Sequence, residues 1–285
     1  MPPFFGLALA SAEPFPQHLA AVVDDHLMKI SHIVRAEEWL SSTPKHVLLY
    51  RYFNWDMPPI FHTPALRNPD KSKLSKRHGH TNVTFFKDEG YLPEAILNYL
   101  ALLGWSHPEE KEIFSLDEFI SLFDLKDIRP VAPIFDLTKL TWMNQQYIMT
   151  KSAEELKVLI NKFYVNENLP DELLTKLIPL VSTRMTTLKD FMKLTSVFFS
   201  PPVITIRNDN EKLIIENLQK LLEKITDWNT DNILTVLKSI MQASSVKMPV
   251  LYYIFTGQEK GLPLPESLKI LGKEETIKRL NKLLQ

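Results

Sequence analysis

The chain has 285 residues, with 33 Lys and Arg against 34 Asp and Glu and a formal net charge of −1, so no bulk field draws it to nucleic acid or anionic lipid. It has no cysteine, which excludes disulfides, thiolate metal sites and thiol nucleophiles together. At 45% hydrophobic residues it can bury more than one core, and its longest apolar runs, around Leu97 to Leu103 and Leu213 to Leu222, break well short of the roughly 20 residues of a membrane span, so no membrane is expected among its partners.

The opening MPPFFGLALASAEPFPQ, residues 1–17, has an apolar centre without a basic segment before it, a poor signal peptide. Residues 18–29 carry Leu19, Val22, Val23 and Leu27 at helical spacing. Residues 30–35, ISHIVR, are rich in β-branched side chains and predict a short strand. AEEW then reads as a turn, and Thr43 as cap with Pro44 as first residue opens a helix to about Phe53. Strand, loop and helix in that order belong to an α/β layer. Pro93 starts a helix whose apolar side is Ile96, Leu97, Leu100 and Leu103 and which Gly104 ends. Ser115 with Glu118, and Ser152 with Glu155, have the spacing of capping boxes. From residue 152 onward one amphipathic helical pattern follows another, with turns at Pro201 and Pro202, Asp227 to Asp231, and Gly257 to Pro265. Only 7 glycines occur, a further bias toward helix. No fixed-period repeat is visible.

Between Arg67 and Arg77 the cations Arg67, Lys71, Lys73, Lys76 and Arg77 face one anion, Asp70, a local excess in a near-neutral chain. On charge alone a solvated turn accounts for such a run. Asn68 and Pro69 mark a turn, and the serines can bond backbone or phosphate oxygens. The run lacks the glycines of a Walker loop. The order of its residues carries more: KLSKR, Lys73 to Arg77, resembles the KMSKS loop of class I aminoacyl-tRNA synthetases. HLAAVVDDHLMKISHIVRAEEWLSSTPKH, LRNPDKSKLSKRHGHTNV, GYLPEAILNYLALLGW and FDLTKLTWMNQQYI are similar to successive blocks of bacterial and organellar glutamyl-tRNA synthetases, in their order and spacing. The resemblance extends from His18 over nearly the whole chain.

The resemblance implies ATP-dependent joining of glutamate to tRNA, with Mg2+ accompanying ATP. Flexible cations that close on the α-phosphate and departing pyrophosphate stabilise the transition state more than the ground state. It assigns that task to Lys73 and Lys76, with Ser75 and Arg77 beside them. Arg35 corresponds to an arginine that grips the carboxylate of glutamate, and the alternative for it is a salt bridge to Glu37 or Glu38. Glu38, Trp39 and the backbone of Leu66, with Lys76, match ATP-site positions. Arg184 falls where an arginine reads the last anticodon base, the alternative being a solvent-facing helical arginine, and the turn Gly261 to Pro265 matches the region that meets the other anticodon bases. His78 and His80 lie two apart in the basic loop, and no zinc is expected.

The reading is therefore a mainly α protein: the C-terminal part of a class I Rossmann-like α/β catalytic domain followed by an all-α anticodon-binding region. Its expected divisions are a leader at 1–17, catalytic residues with the KMSKS-like loop at 18–90, a connecting helical region at 91–150 and the anticodon-binding region at 151–285. The family's HIGH motif and acceptor-stem insertion are not found in it, and Gln17 stands where the family has a glutamate-binding tyrosine. Two expectations follow: a cytoplasmic synthetase inactive by itself, or a noncatalytic tRNA-binding module or subunit completed by a separate chain carrying the HIGH half. The leader then reads as a misassigned start, a frame-shifted tail or the N-terminus of a split subunit.

Overall fold

The computed structural model describes residues 15–72, 74, 82–167 and 169–285. Their order is α1 (Phe15–Leu27), β1 (Ile33–Ala36), a 3-10 turn (Glu37–Ser42), α2 (Thr43–Phe53), β2 (Ile60–Thr63), α3 (Val83–Asp88), α4 (Pro93–Gly104) and α5 (Leu116–Leu122). A second 3-10 turn (Leu125–Asp127) follows, then α6 (Leu137–Thr150), α7 (Ala153–Phe163), α8 (Asp171–Val181), α9 (Asp190–Phe199), α10 (Asp209–Glu223), α11 (Thr230–Ala243), α12 (Met248–Thr256), α13 (Leu264–Leu271) and α14 (Lys273–Leu284). The fold is mainly α with a small parallel sheet. The described residues fall into two compact units, one within Met1–Val83 and Glu94–Leu140, the other within Thr84–Pro93 and Thr141–Gln285. Among the described residues no helix is long and apolar enough to cross a membrane.

In the first unit α2 is the crossover that a parallel pair requires. It brings β2 beside β1 with Ile33 opposite Ile60, Val34 opposite Phe61, Arg35 opposite His62 and Ala36 opposite Thr63. Val22 of α1 packs with Leu49 and Tyr50 of α2 in a small buried core that Leu19 and Trp55 partly cover. The strand begins later than the β-branched run suggests. The closure of α1 consumes residues 29 and 30: Lys29 turns left-handed at φ 55° and Ile30 N–H donates to the Asp25 carbonyl. Thr43 also departs from expectation, for it is the first helical residue rather than the cap. Its hydroxyl donates to the Trp39 carbonyl and accepts from Arg35.

α4 has the expected bounds but a different buried face. Ala95, Asn98 and Tyr99 are buried, while Leu97 and Leu100 are exposed. Polar tertiary bonds decide this. Asn98 Oδ1 accepts from Phe114 N–H, and Tyr99 Oη accepts from Asp136 N–H, anchoring two loops on that side. The box at Ser115 is half formed: Ser115 Oγ accepts from Glu118 N–H, while the Glu118 carboxylate turns to Lys111 and His107.

Among the described residues the regular elements of the second unit are helices. Ser152 and Glu155 form the complete capping box that starts α7, and Asn208 caps α10 by accepting from Glu211 N–H. Ile214, Ile215, Leu218 and Leu222 of α10 recur at helical spacing and are buried against Ile233, Leu237 and Ile240 of α11, Leu264 and Leu268 of α13 and Leu280 of α14. Each such side chain contributes about 1.5–3 kcal/mol through burial. Gly90 is required by geometry. Its φ is +79°, its carbonyl accepts from Leu188 N–H, and a Cβ there would lie 2.7 Å from the Lys189 nitrogen.

Candidate functional site

Arg35, on β1, is the centre of a polar cluster in the first unit. Its Nε donates to His62 Nε2 at 3.1 Å, its Nη2 to Thr43 Oγ1 at 2.7 Å, and its Nη1 lies 3.0 Å from His46 Nδ1. The parallel register supplies His62, and the i, i+3 spacing on α2 turns Thr43 and His46 to one side. His46 passes the chain on, with Nε2 3.0 Å from Nδ1 of His18 on α1. Trp39 stands beside them, its ring centroid 6.0 Å from the Arg35 guanidinium carbon and 6.1 Å from the His18 ring. The guanidinium thus bonds to His62, Thr43 and His46, while Glu37, one of the two carboxylates weighed as a salt-bridge partner, accepts from Ala65 N–H.

The electrostatics of the cluster are unusual for a half-buried cation. Its hydrogen-bond acceptors are neutral, because a protonated imidazole has no lone pair to offer. Burial keeps the three histidines in that state. It lowers the pKa of His46 to about 4 with help from Arg35, His18 and Lys45, and lowers His18 and His62 as well, with Arg35 contributing to both and Lys45 to His18. Burial also lowers the pKa of Arg35, against an opposing pull from Asp25. Asp25 is itself raised by burial, with Arg35 opposing and Asp24 adding to the rise. The three bonds use three of the five guanidinium N–H groups and leave one on each terminal nitrogen. Two remaining donors and an unspent positive charge suit a carboxylate.

The Glu37 to Ala65 bond ties the turn holding Glu38 and Trp39 to the segment that leads to Leu66. Beyond it the described part of the basic loop is a closed turn. Leu74 N–H donates to the Leu66 carbonyl, Asn68 N–H to the Ser72 carbonyl, and Ser72 donates from both N–H and Oγ to Asp70. Arg67 pairs with Ile134 as an isolated bridge. Lys73, Ser75, Lys76 and Arg77, as well as His78, His80 and the first 14 residues, lie outside the described residues.

In the second unit Arg184 is exposed on the loop between α8 and α9, and its Nη1 donates to the Gly261 carbonyl at 3.1 Å. Two segments that the sequence singled out separately, Arg184 and the turn from Gly261, therefore touch across 77 residues of chain. Met185, 0% exposed, anchors the loop. Asp190 Oδ2 accepts from Thr186 N–H, Thr186 Oγ1 and Thr187 N–H. The buried Asn144 accepts from Leu92 N–H and donates to the Thr186 carbonyl, and Gln145 donates to the Thr183 carbonyl.

Sequence reasoning missed His18, Thr43, His46 and His62 around Arg35, and Asn144, Gln145 and Asp190 around Arg184. One signal was present. His46 breaks the apolar side of α2, a place where a polar residue must find a partner.

Comparison with known proteins covers both parts of the chain. The family model for the catalytic domain of class I tRNA synthetases (E and Q) matches residues 12–142, and that for an anticodon binding domain matches residues 143–284. Glutamate–tRNA ligase of Chlamydia muridarum is 42% identical over 288 residues, covering 95% of this chain and 56% of that protein. The Psychrobacter enzyme of the same name is 41% identical, covering 92% and 54%. The crystal structure of a glutamate tRNA ligase from Elizabethkingia meningosepticum in complex with its amino acid superimposes with a TM-score of 0.77 at 33% identity, covering 94% of this chain and 59% of that one. The chain thus spans little more than half the length of the relatives it matches. Adjoining catalytic and anticodon models, and relatives that share one name across nearly all its residues, make the chain a member of the glutamyl-tRNA synthetase family of class I aminoacyl-tRNA synthetases.

Proposed function

We propose that the chain serves the glutamate–tRNA ligase reaction: a glutamate carboxylate oxygen attacks the α-phosphorus of ATP, the bond to pyrophosphate breaks to leave glutamyl-AMP, and a hydroxyl of the terminal ribose of tRNA takes the glutamyl group as AMP departs. The observation that carries this reading is the Arg35 guanidinium, held by neutral acceptors with two N–H groups left for an anion. Arg35 grips a carboxylate of glutamate, while Glu38, Trp39 and the Leu66 backbone line the ATP site. Lys73 and Lys76 meet the charge that builds on the α-phosphate and leaving pyrophosphate, with Ser75 and Arg77 adding a hydroxyl and a further cation. Mg2+ accompanying ATP would supply positive charge at its phosphates; among the described residues no three His, Asp or Glu side chains gather as ligands, and none is assigned to it.

In the second unit, Arg184 and the Gly261 to Pro265 turn read anticodon bases, a reading supported by their contact. The cytoplasm is the setting this reading assigns. A second component concerns completion of the site. Among the described residues no side chain of β1 or β2 is fully buried, and Val34 is 51% exposed, whereas parallel strands are ordinarily covered on both faces. This favours a nucleotide site completed by further polypeptide, in the same or a separate chain.

The test is a chimera in which this chain replaces the matching part of the Chlamydia muridarum relative. Glutamate-dependent exchange of pyrophosphate into ATP is expected, and Lys76→Ala should reduce its rate on the order of 100-fold or more. Exchange that is indifferent to Lys76→Ala removes the basic loop from the mechanism. Binding of tRNA by the 285-residue chain alone tests the second unit, with preference for glutamate-accepting tRNA expected.

A further inference from the structure

The histidine pair beside Arg35 has a direction. Arginine only donates, so His46 Nδ1, 3.0 Å from Arg35 Nη1, accepts. A neutral imidazole that accepts at Nδ1 carries its proton on Nε2. That atom lies 3.0 Å from His18 Nδ1, which must accept in turn. Donation therefore runs from Arg35 to His46 to His18, and it persists only while both imidazoles are neutral. His46 is 3% exposed and His18 5%, so water cannot readily substitute for either partner. The groups facing the pair are Arg35 of β1, with His62 behind it, Lys45 of α2 and the Trp39 ring, while Asp25 of α1 acts on Arg35.

We propose that His46 is a positioning residue for Arg35. Its Nδ1 aims the guanidinium at the anion, and its Nε2–H, received by His18, holds the ring plane and tautomer that make this acceptance possible. The functional meaning rests on the assignment of Arg35 to the glutamate carboxylate; the structural claim stands apart from it.

Two amide substitutions separate the ends of the ring. The asparagine oxygen can reach the place of Nδ1, whereas the glutamine amide reaches that of Nε2. In the isotope-labelled 285-residue chain, long-range proton–nitrogen spectra are expected to show the His46 proton on Nε2. His46→Asn should leave hydrogen exchange at Arg35 Nη1–H nearly unchanged, and His46→Gln should speed it about tenfold, the equivalent of one charge-assisted hydrogen bond. His18→Leu, which removes only the far acceptor, should move the His46 proton toward Nδ1 and speed Arg35 exchange, and it supplies the answer if His46→Gln does not fold. A His46 proton on Nδ1 in the unsubstituted chain, equal damage from the two amides, or no effect of any substitution overturns the positioning role. Titration of the chimera with L-glutamate separates the two claims. If Arg35 resonances do not respond to it, the carboxylate assignment fails, while the tautomer and exchange results still decide what His46 does.

Discussion

Arg35 in the first unit and Arg184 in the second are held in opposite ways. For Arg35 the side chain itself is oriented: all three guanidinium nitrogens are bonded to His62, Thr43 and His46. For Arg184 the backbone is oriented. Asp190, Asn144 and Gln145 secure its loop and the buried Met185 anchors it, while the exposed guanidinium donates to the Gly261 carbonyl. The contrast matches the ligands proposed for them. A small carboxylate rewards donors placed in advance, since reorganisation at the moment of binding weakens charge stabilisation. A base on a flexible RNA loop is better met by a side chain that can adjust on a firm platform.

The comparison breaks if either arginine does the other's work. Arg35→Ala in the chimera should lower kcat/KM for glutamate on the order of 100-fold, the loss of two charge-assisted hydrogen bonds, with tRNA affinity unchanged. Exchange kinetics and tRNA filter binding on one preparation check both halves. The platform is next. Gly90→Ala, whose Cβ would meet the Lys189 backbone nitrogen, should cost about 2 kcal/mol in denaturant unfolding of the 285-residue chain. An unchanged midpoint would show that the Gly90 segment does not hold the start of α9. Arg184→Ala should reduce discrimination among tRNAs about tenfold, one base contact, and leave glutamate KM as it was.

The smallest effect is a pH slope. His46 has a folded pKa of about 4 against 6.5 for the free side chain, so between these values the unfolded chain takes up protons that the folded chain refuses. Stability should therefore be full above about pH 6.5 and decline as the pH falls toward 4. Unfolding midpoints across that window, with a shallower slope in His46→Asn, measure it.

Local chemistry was legible wherever it acted within a turn of helix. Pro93 and Gly104 bound α4, and Ser152 with Glu155 opens α7, because capping joins residues three or four apart. The apolar stripe of α4 misled, since Asn98 and Tyr99 are drawn inward by Phe114 and Asp136, residues that helical periodicity does not see. Ser115 was read as a full box, yet Glu118 found a lysine and a histidine instead.

By itself the sequence determined that the chain is mainly helical, that its early part contains a strand and crossover helix, and which arginines and lysines were worth following. The spacing of apolar and capping residues encodes these features, as does the order of the motif blocks. Only the tertiary structure decided that Arg35 rests on His62, 27 residues away, that His46 links it to His18, and that Arg184 meets Gly261. Such pairings depend on strand register and on which polar groups burial forces together, and neither has a period along the chain.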